Sequence, residues 1–461
     1  MAVTSARVTG RFGVVICGGG PAGTAPLIHA AHQGRLDPLL DAGVAIVERG
    51  PRLGGGAFTN YAINGNSVGA AFLECLKHPA SHRLLHAARG LPATRELGRF
   101  RHATPPLSKV GDYLNEVGDL LEAELRQHPK CQALLGADVE SIRLRHDGTL
   151  LTFARERGGT REHRLISDRV ILALGGRPRR ASLVDRPVGS APSLERFADK
   201  VFPADAVLTR DAAVLGALGD RLRNGSRIAI LGGSHGAWST AWRLLRDPAT
   251  RAAFGDGDIA IVHRRPIRLF YLTAQAARDA GYAFDPEHDV CPLSGRVNRF
   301  GGLRGDAMAL ALRVLADERS RREPRVVLVN GARARTPTPD LTGVLDKASA
   351  LLCAFGYEAN VVPIYDVDGR PLALRRECGA LVVDGHAHVL EAGGRPLPNL
   401  LAYGLGAGLK VSPEVGGERS YRGRVDGVWL YQHDVGRLVM RSLLAGAHRP
   451  DPADVGAEPY A

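Results

Sequence analysis

The sequence predicts an α/β protein in which one strand–turn–helix–strand unit is interrupted by a second unit of the same kind. Three observations carry this. A short apolar run opens into a glycine cluster near the N-terminus, the same arrangement returns about 210 residues later, and a stretch of alternating strands separates the two. The 461 residues exceed the roughly 250–300 at which a single core stops growing, so more than one packed lobe is expected.

Taken in order, residues 12–17 read as a continuous buried strand, 22–32 as a helix and 44–47 as the next strand. From about residue 137 the pattern shortens to alternating segments, 141–145 and 150–154, joined across Asp147-Gly148, a dipeptide that favours a tight hairpin. This meander closes on 169–174. The second unit starts with the strand 227–231, continues into a helix carrying Ala237, Ala241, Leu244 and Leu245, and returns at 259–262. A helix over 306–318, strands at 326–329 and 351–354, and a final helix over 425–443 complete the chain. The Arg- and Pro-rich stretches 177–192 and 335–340 are the expected crossings between lobes. The expected division is therefore 1–195 and 346–461 for the host lobe and 196–345 for the inserted one.

Composition narrows the functional classes. A formal charge of +12 arises from 60 Lys and Arg against 48 Asp and Glu. It favours anionic ligands, RNA as well as dinucleotides, yet the cations are scattered and form no nucleic-acid track. The six cysteines (Cys17, Cys75, Cys131, Cys291, Cys353, Cys378) include no C-x-x-C pair, which argues against a local redox disulfide or a zinc ribbon and for buried thiols in a reducing compartment. No apolar run approaches the 18 or more residues of a membrane span, so cytoplasm is the expected location.

Gly18-Gly19-Gly20-Pro21-Ala22-Gly23 fits G-x-G-x-x-G directly after a strand and at the start of a helix. Gly18 permits the sharp turn, Gly20 the approach of a pyrophosphate, and Gly23 the packing of helix on strand. Glu48, ending the second strand, stands where a carboxylate accepts ribose hydroxyls. It lies 25 residues past Gly23, and an extra loop over 34–41 accounts for the excess. Arg49 is followed by a further glycine turn that includes Gly55.

In the second unit, Gly232-Gly233-Ser234-His235-Gly236 again joins strand to helix, although Leu231 replaces the first glycine of the strict motif. Its second strand ends in His263-Arg264-Arg265 where NAD sites carry an acid. Two guanidinium groups fit a 2′-phosphate, which favours NADPH over NADH.

The acid, the glycine turn, the meander and the strand end Ala173-Leu174-Gly175-Gly176-Arg177-Pro178 together resemble two-dinucleotide-binding-domain flavoproteins. Residues 400–408, containing Gly406, are similar to the segment that reaches the flavin ribityl chain, without the usual aspartate. The resemblance implies FAD at the first site: a three-layer Rossmann-like FAD domain with a β-meander, containing an inserted Rossmann-like NADPH domain. Ala173 to Pro178, similar to A-x-G-G-x-P, and Ala354-Phe355-Gly356-Tyr357, similar to A-T-G-Y, extend the resemblance to the N-hydroxylating branch of class B flavin-dependent monooxygenases. The Baeyer–Villiger fingerprint is absent from 197–207, as is the W-x-W-x-I-P segment of flavin halogenases.

That branch implies oxygen insertion from O2 into a small molecule, with N-hydroxylation of an amine or amino-acid-like substrate the expected reaction. Tyr61 and Asn64 are the candidate substrate contacts, and Asn298 and Arg299 the candidate catalytic residues. Two alternatives stay open, an NADPH-dependent flavin oxidoreductase that inserts no oxygen and an FAD-containing RNA-binding protein. Homo-oligomerisation is also left open.

Overall fold

A computed structural model describes residues 9–78, 81–178, 194–223, 225, 227–248, 250–316, 322–332, 341–377 and 379–445. Cys378, most of the stretch 177–192 and the stretch 335–340, the two expected as crossings, lie outside these.

The host lobe is built on Gly10–Cys17, whose parallel neighbours are Val44–Glu48 on one side and Glu162–Leu172 on the other, with Gln132–Leu135 beyond Val44–Glu48. Because the strand is covered on both faces beyond the exposed Arg11, it is apolar from Phe12 to Cys17 and divides its side chains by parity. Val14 and Ile16 join the helical core with Leu27, Leu114 and Leu121, whereas Val15 and Cys17 join Ile142, Leu150 and Ala154 under the meander. Helices, sheet and meander make the three layers.

Strand Glu162–Leu172 changes partner along its length within one nine-stranded sheet. Its first half pairs antiparallel with Leu150–Glu156, and its last residues pair parallel with Pro396–Ala402. The hairpin closes at Asp147, whose carboxylate accepts from the Thr149 amide at 3.1 Å and the Thr149 hydroxyl at 2.6 Å, while Gly148 takes φ +78°.

The inserted lobe repeats the arrangement. Its sheet is all parallel, ordered Val326–Asn330, Ile259–His263, Ile228–Leu231, Ala350–Cys353 and Val201–Pro203. Helix His235–Arg246 packs Trp238, Ala241 and Leu244 on one face, and Leu341 and Leu345 cover the other. Since Ala350–Cys353 pairs with Ile228–Leu231, this lobe continues past residue 345, where the sequence pattern alone placed its end. The chain returns to the host lobe through residues 354–359.

Other elements differ from expectation in detail. The loop over 34–41 contains a short helix, Leu36–Asp41. The helix expected over 306–318 runs Gly305–Leu315. The last helix is broken into Val428–Leu430, a π-turn Tyr431–Val435 and Gly436–Ala445. Gly436 sits where a Cβ would lie 2.8 Å from His29, so the broken axis lets this segment press onto helix Pro21–His32.

Helix Leu107–Gln127 presents Gly111, Asn115 and Gly118 along one stripe to the turn 53–59. Asn115 Oδ1 accepts from the Gly55 amide at 2.9 Å, and a Cβ at Gly118 would overlap the Leu53 carbonyl. Gly118→Ala is expected to cost about 1–3 kcal/mol through overpacking, read by urea denaturation. In the exposed helix Ala212–Arg223, a Cβ at Gly216 meets nothing, and Gly216→Ala is expected to stabilise by about 0.5–1 kcal/mol.

Candidate dinucleotide and substrate site

Both glycine loops sit where a central parallel strand ends and a helix begins. Gly18 has φ +101°, and a Cβ there would overlap the Ala173 carbonyl; a Cβ at Gly23 would overlap the Gly18 carbonyl. Gly20 differs, because its nearest neighbour is the Gly56 Cα at 3.6 Å, which leaves the backbone open to an approaching ligand. Helix Pro21–His32 starts there with Pro at its first position, so first-turn N–H groups without intrahelical acceptors face the opening. This cradle fits a diphosphate.

Glu48 holds the loop together. Its carboxylate accepts the Gly19 amide at 2.6 Å through one oxygen and the Gly50 amide at 2.7 Å through the other. Each oxygen keeps accepting capacity for a hydroxyl. Gly55 lies behind the turn on Asn115, while Gly56 faces the cavity.

Two of the segments singled out in the sequence meet. Gly176–Pro178 pairs antiparallel with Tyr357–Ala359, forming the two-stranded ribbon through which the chain leaves and re-enters the host lobe. Gly175 takes φ +69°, the Asn360 amide donates to its carbonyl at 3.1 Å, and a Cβ at Gly406 would lie 2.7 Å from that carbonyl. Gly406 is thus packed under the ribbon, while Gly404 packs on Ala22 and Gly408 on the Leu381 carbonyl.

In the inserted lobe Gly232 takes φ +147°, and a Cβ at Gly233 would lie 2.8 Å from the His263 Cβ. Ser234 caps helix His235–Arg246 in position without a side-chain bond, and Gly236 has the Ala354 Cβ 3.8 Å away. His235 turns inward, and its Nε2 accepts from the Arg304 amide at 3.0 Å. Burial, with the Arg304 charge, pushes its pKa down to about 4, so the ring is neutral. Arg264 and Arg265 are exposed at the end of strand Ile259–His263 and form no ion pair among the described residues.

Between the lobes lies a cavity of about 1310 Å³. Gly18, Gly20, Pro21, Ala22, Glu48 and Gly175 line one end, and His235, Gly236, Phe270, Arg299 and Arg304 another. Tyr61 and Asn64 are on its wall, both engaged across the lobes. Asn64 donates to Asp306 at 2.7 Å, and Asp205 accepts from the Tyr61 hydroxyl at 2.8 Å and from the Tyr357 hydroxyl. Burial raises both phenols, so each remains protonated.

Asn298 and Arg299 are occupied differently than expected. Asn298 is wholly buried, has φ +47°, and donates to the Leu269 carbonyl and the Tyr282 hydroxyl, both at 3.0 Å. It is not part of the cavity wall and holds its own loop. Arg299 reaches the wall but is only 6% exposed, and its guanidinium is spent on Asp434 at 2.8 Å and the Val415 carbonyl at 3.0 Å.

Sequence reasoning missed Arg296, Arg304, Trp429 and Asp426, which also line the cavity. Asp426 stands just before helix Val428–Leu430, so an acid does follow the Gly404–Gly408 turn in the chain, after an intervening loop.

A family model described as FAD-NAD(P)-binding matches residues 15–177. The chain is 40% identical over 452 residues to a CMP-5′-(3-aminopropyl)phosphonate hydroxylase of Streptomyces rubellomurinus, covering 96% of this chain and 99% of that protein. Among solved structures it resembles an ornithine N-hydroxylase from a Kutzneria species (16% identity, TM-score 0.54, 95% and 100% of the two chains). It also resembles a cadaverine monooxygenase from Erwinia amylovora (12%, 0.55, 94% of each). At these identities the structural likeness shows the fold alone, two dinucleotide-binding-type α/β lobes.

Arg264→Ala is expected to raise the KM for NADPH at least several-fold with little change for NADH, since only the former carries a 2′-phosphate; an equal response of both cofactors contradicts the assignment. His433, like His235, is lowered by burial to about 4 from 6.5. With the folded values depressed, the unfolded chain binds more protons between those limits, so this stability is complete above pH 6.5 and is lost as pH falls towards 4. Denaturation midpoints should drop across that window, less so in His235→Gln; a flat profile contradicts the buried neutral rings.

Proposed function

The chain belongs to the family of the CMP-5′-(3-aminopropyl)phosphonate hydroxylase, and from that premise we propose that it is an FAD-dependent, NADPH-reduced monooxygenase that N-hydroxylates a primary amine on a phosphonate-bearing substrate. The supporting observation is the interlobe cavity, which reaches Gly18 and Gly20 of the first glycine loop and His235 and Gly236 of the second, and so has room to bring two nucleotides and a small molecule together.

FAD, when bound, would supply the redox chemistry by which the amine, one NADPH, one O2 and one proton give the hydroxylamine, water and NADP+. The protein's part is placement and exclusion of water. Gly18 to Gly23 would hold the flavin diphosphate and Glu48 would accept from its ribose. His235, kept neutral, adds no charge beside the nicotinamide nucleotide while fixing the Arg304 backbone. The bonds of Tyr61, Tyr357 and Asp205, and of Asn64 to Asp306, tie the lobes together around the cavity. Phe270, Leu272 and Val428 make part of its wall apolar, which limits water at the reacting nitrogen.

Oxygen uptake, NADPH oxidation and product mass, followed together with CMP-5′-(3-aminopropyl)phosphonate and a panel of simple amines, test this reading. The expected outcome is a product with one added oxygen on nitrogen, formed one-to-one with NADPH consumed. NADPH oxidation that reduces an artificial acceptor but never labels product from heavy-isotope O2 would instead identify an oxidoreductase without oxygen insertion.

A further inference from the structure

Three arginines, Arg296, Arg299 and Arg304, converge on the inserted-lobe wall of the cavity. Arg299 is neutralised by Asp434. Arg296 and Arg304 have no carboxylate within ion-pair distance among the described residues. Arg304 lies over the Phe270 ring, 3.8 Å from its centre, and gives one N–H to the Arg299 carbonyl; of the five N–H groups of a guanidinium, most remain available. Arg296 stands 6.0 Å from the centre of the Trp429 ring. Glu418, whose charge reaches Arg304, accepts instead from the Phe300 and Gly301 amides at 2.7–3.1 Å.

A half-buried cation without a counterion is costly, and placing like charges beside it raises the cost. Burial and the charges of Arg296 and Arg299 together lower the Arg304 pKa to about 10. An anion entering the cavity would relieve both penalties. Its favoured form is a tetrahedral oxyanion, because planar guanidinium groups bind phosphate-like oxygens in pairs. Arg304 is also held rigidly: its amide is fixed by His235 and its side chain by Phe270, so little ordering remains to be done on binding.

We propose that Arg296 and Arg304 form an anion subsite that grips the phosphonate of the substrate and so points its free amine toward the flavin end of the cavity. This rests on the substrate class proposed above. The same chemistry could be supplied by the phosphates of NADPH, and the experiment separates the two sources.

Calorimetric titration of the FAD-loaded protein uses NADP+ alone and then, with NADP+ saturating, 3-aminopropylphosphonate, its CMP anhydride and propylamine as probes. Wild type is expected to bind the phosphonates far better than propylamine. Arg304→Gln and Arg296→Gln should each weaken phosphonate binding tenfold or more while changing NADP+ affinity less than twofold, and Arg304→Lys should recover part of the loss. An unchanged flavin spectrum shows that the variants are folded. If NADP+ affinity falls instead, the arginines serve the cofactor and the proposal is overturned; unaltered phosphonate binding, or no phosphonate binding by wild type, overturns it equally. Phosphonate binding that is arginine-dependent but leads to no hydroxylated product would uphold the subsite and refute the monooxygenase reading.

Discussion

The crossing of backbone on backbone at residues 18–23 is the constraint on which the rest of the structure depends. A side chain at Gly18 or Gly23 would occupy space already taken by the carbonyl of Ala173 or of Gly18 itself. Only with both positions bare can helix Pro21–His32 start directly against strand Gly10–Cys17 and leave Gly20 open to a ligand. That contact sets the register of strand Glu162–Leu172 beside the first, and this strand in turn positions the ribbon carrying the inserted lobe. The second loop repeats the device less tightly. Gly236 leaves room for a Cβ where Gly23 does not, and a carboxylate like Glu48 is replaced at the strand end by His263 and two exposed arginines.

Gly176–Pro178 and Tyr357–Ala359, where the chain leaves and re-enters the host lobe, run side by side, so the cavity wall is braced where the chain passes twice. Tyr61 and Asn64 reach from the host lobe to Asp205 and Asp306 of the inserted one, and Tyr357 reaches Asp205 from the ribbon itself. Half-buried, bonded phenols and an amide of this kind are costly to leave unpaired. Opening the cavity would therefore cost several hydrogen bonds together, which favours a closed and dry reaction space.

Much of this was legible before any coordinates. Apolar runs ending in glycines named both central strands and both loops, since close backbone approach leaves its mark directly in residue type, and the Asp147-Gly148 turn marked the meander. Contacts depending on three dimensions were not legible. Asn298 looked like a site residue by position, but its left-handed backbone turns it into the loop. Arg299 looked free, yet Asp434, 135 residues away, claims it. The boundary at 345 was too early because Ala350–Cys353 is apolar like any buried strand, and nothing in its composition says which sheet it joins. Gly111 and Gly118, two turns apart in a helix that each weakens by about 1 kcal/mol, were a readable sign of close packing that the pattern of apolar residues obscured.

The central claim is that the first glycine loop seats a flavin nucleotide, and titration of FAD into flavin-free protein, followed by flavin fluorescence and visible absorbance, tests it most directly. Saturable binding of one FAD per chain, with a perturbed flavin spectrum, is the predicted result. A protein that stays colourless after incubation with FAD and leaves its fluorescence unchanged would contradict the account at its root.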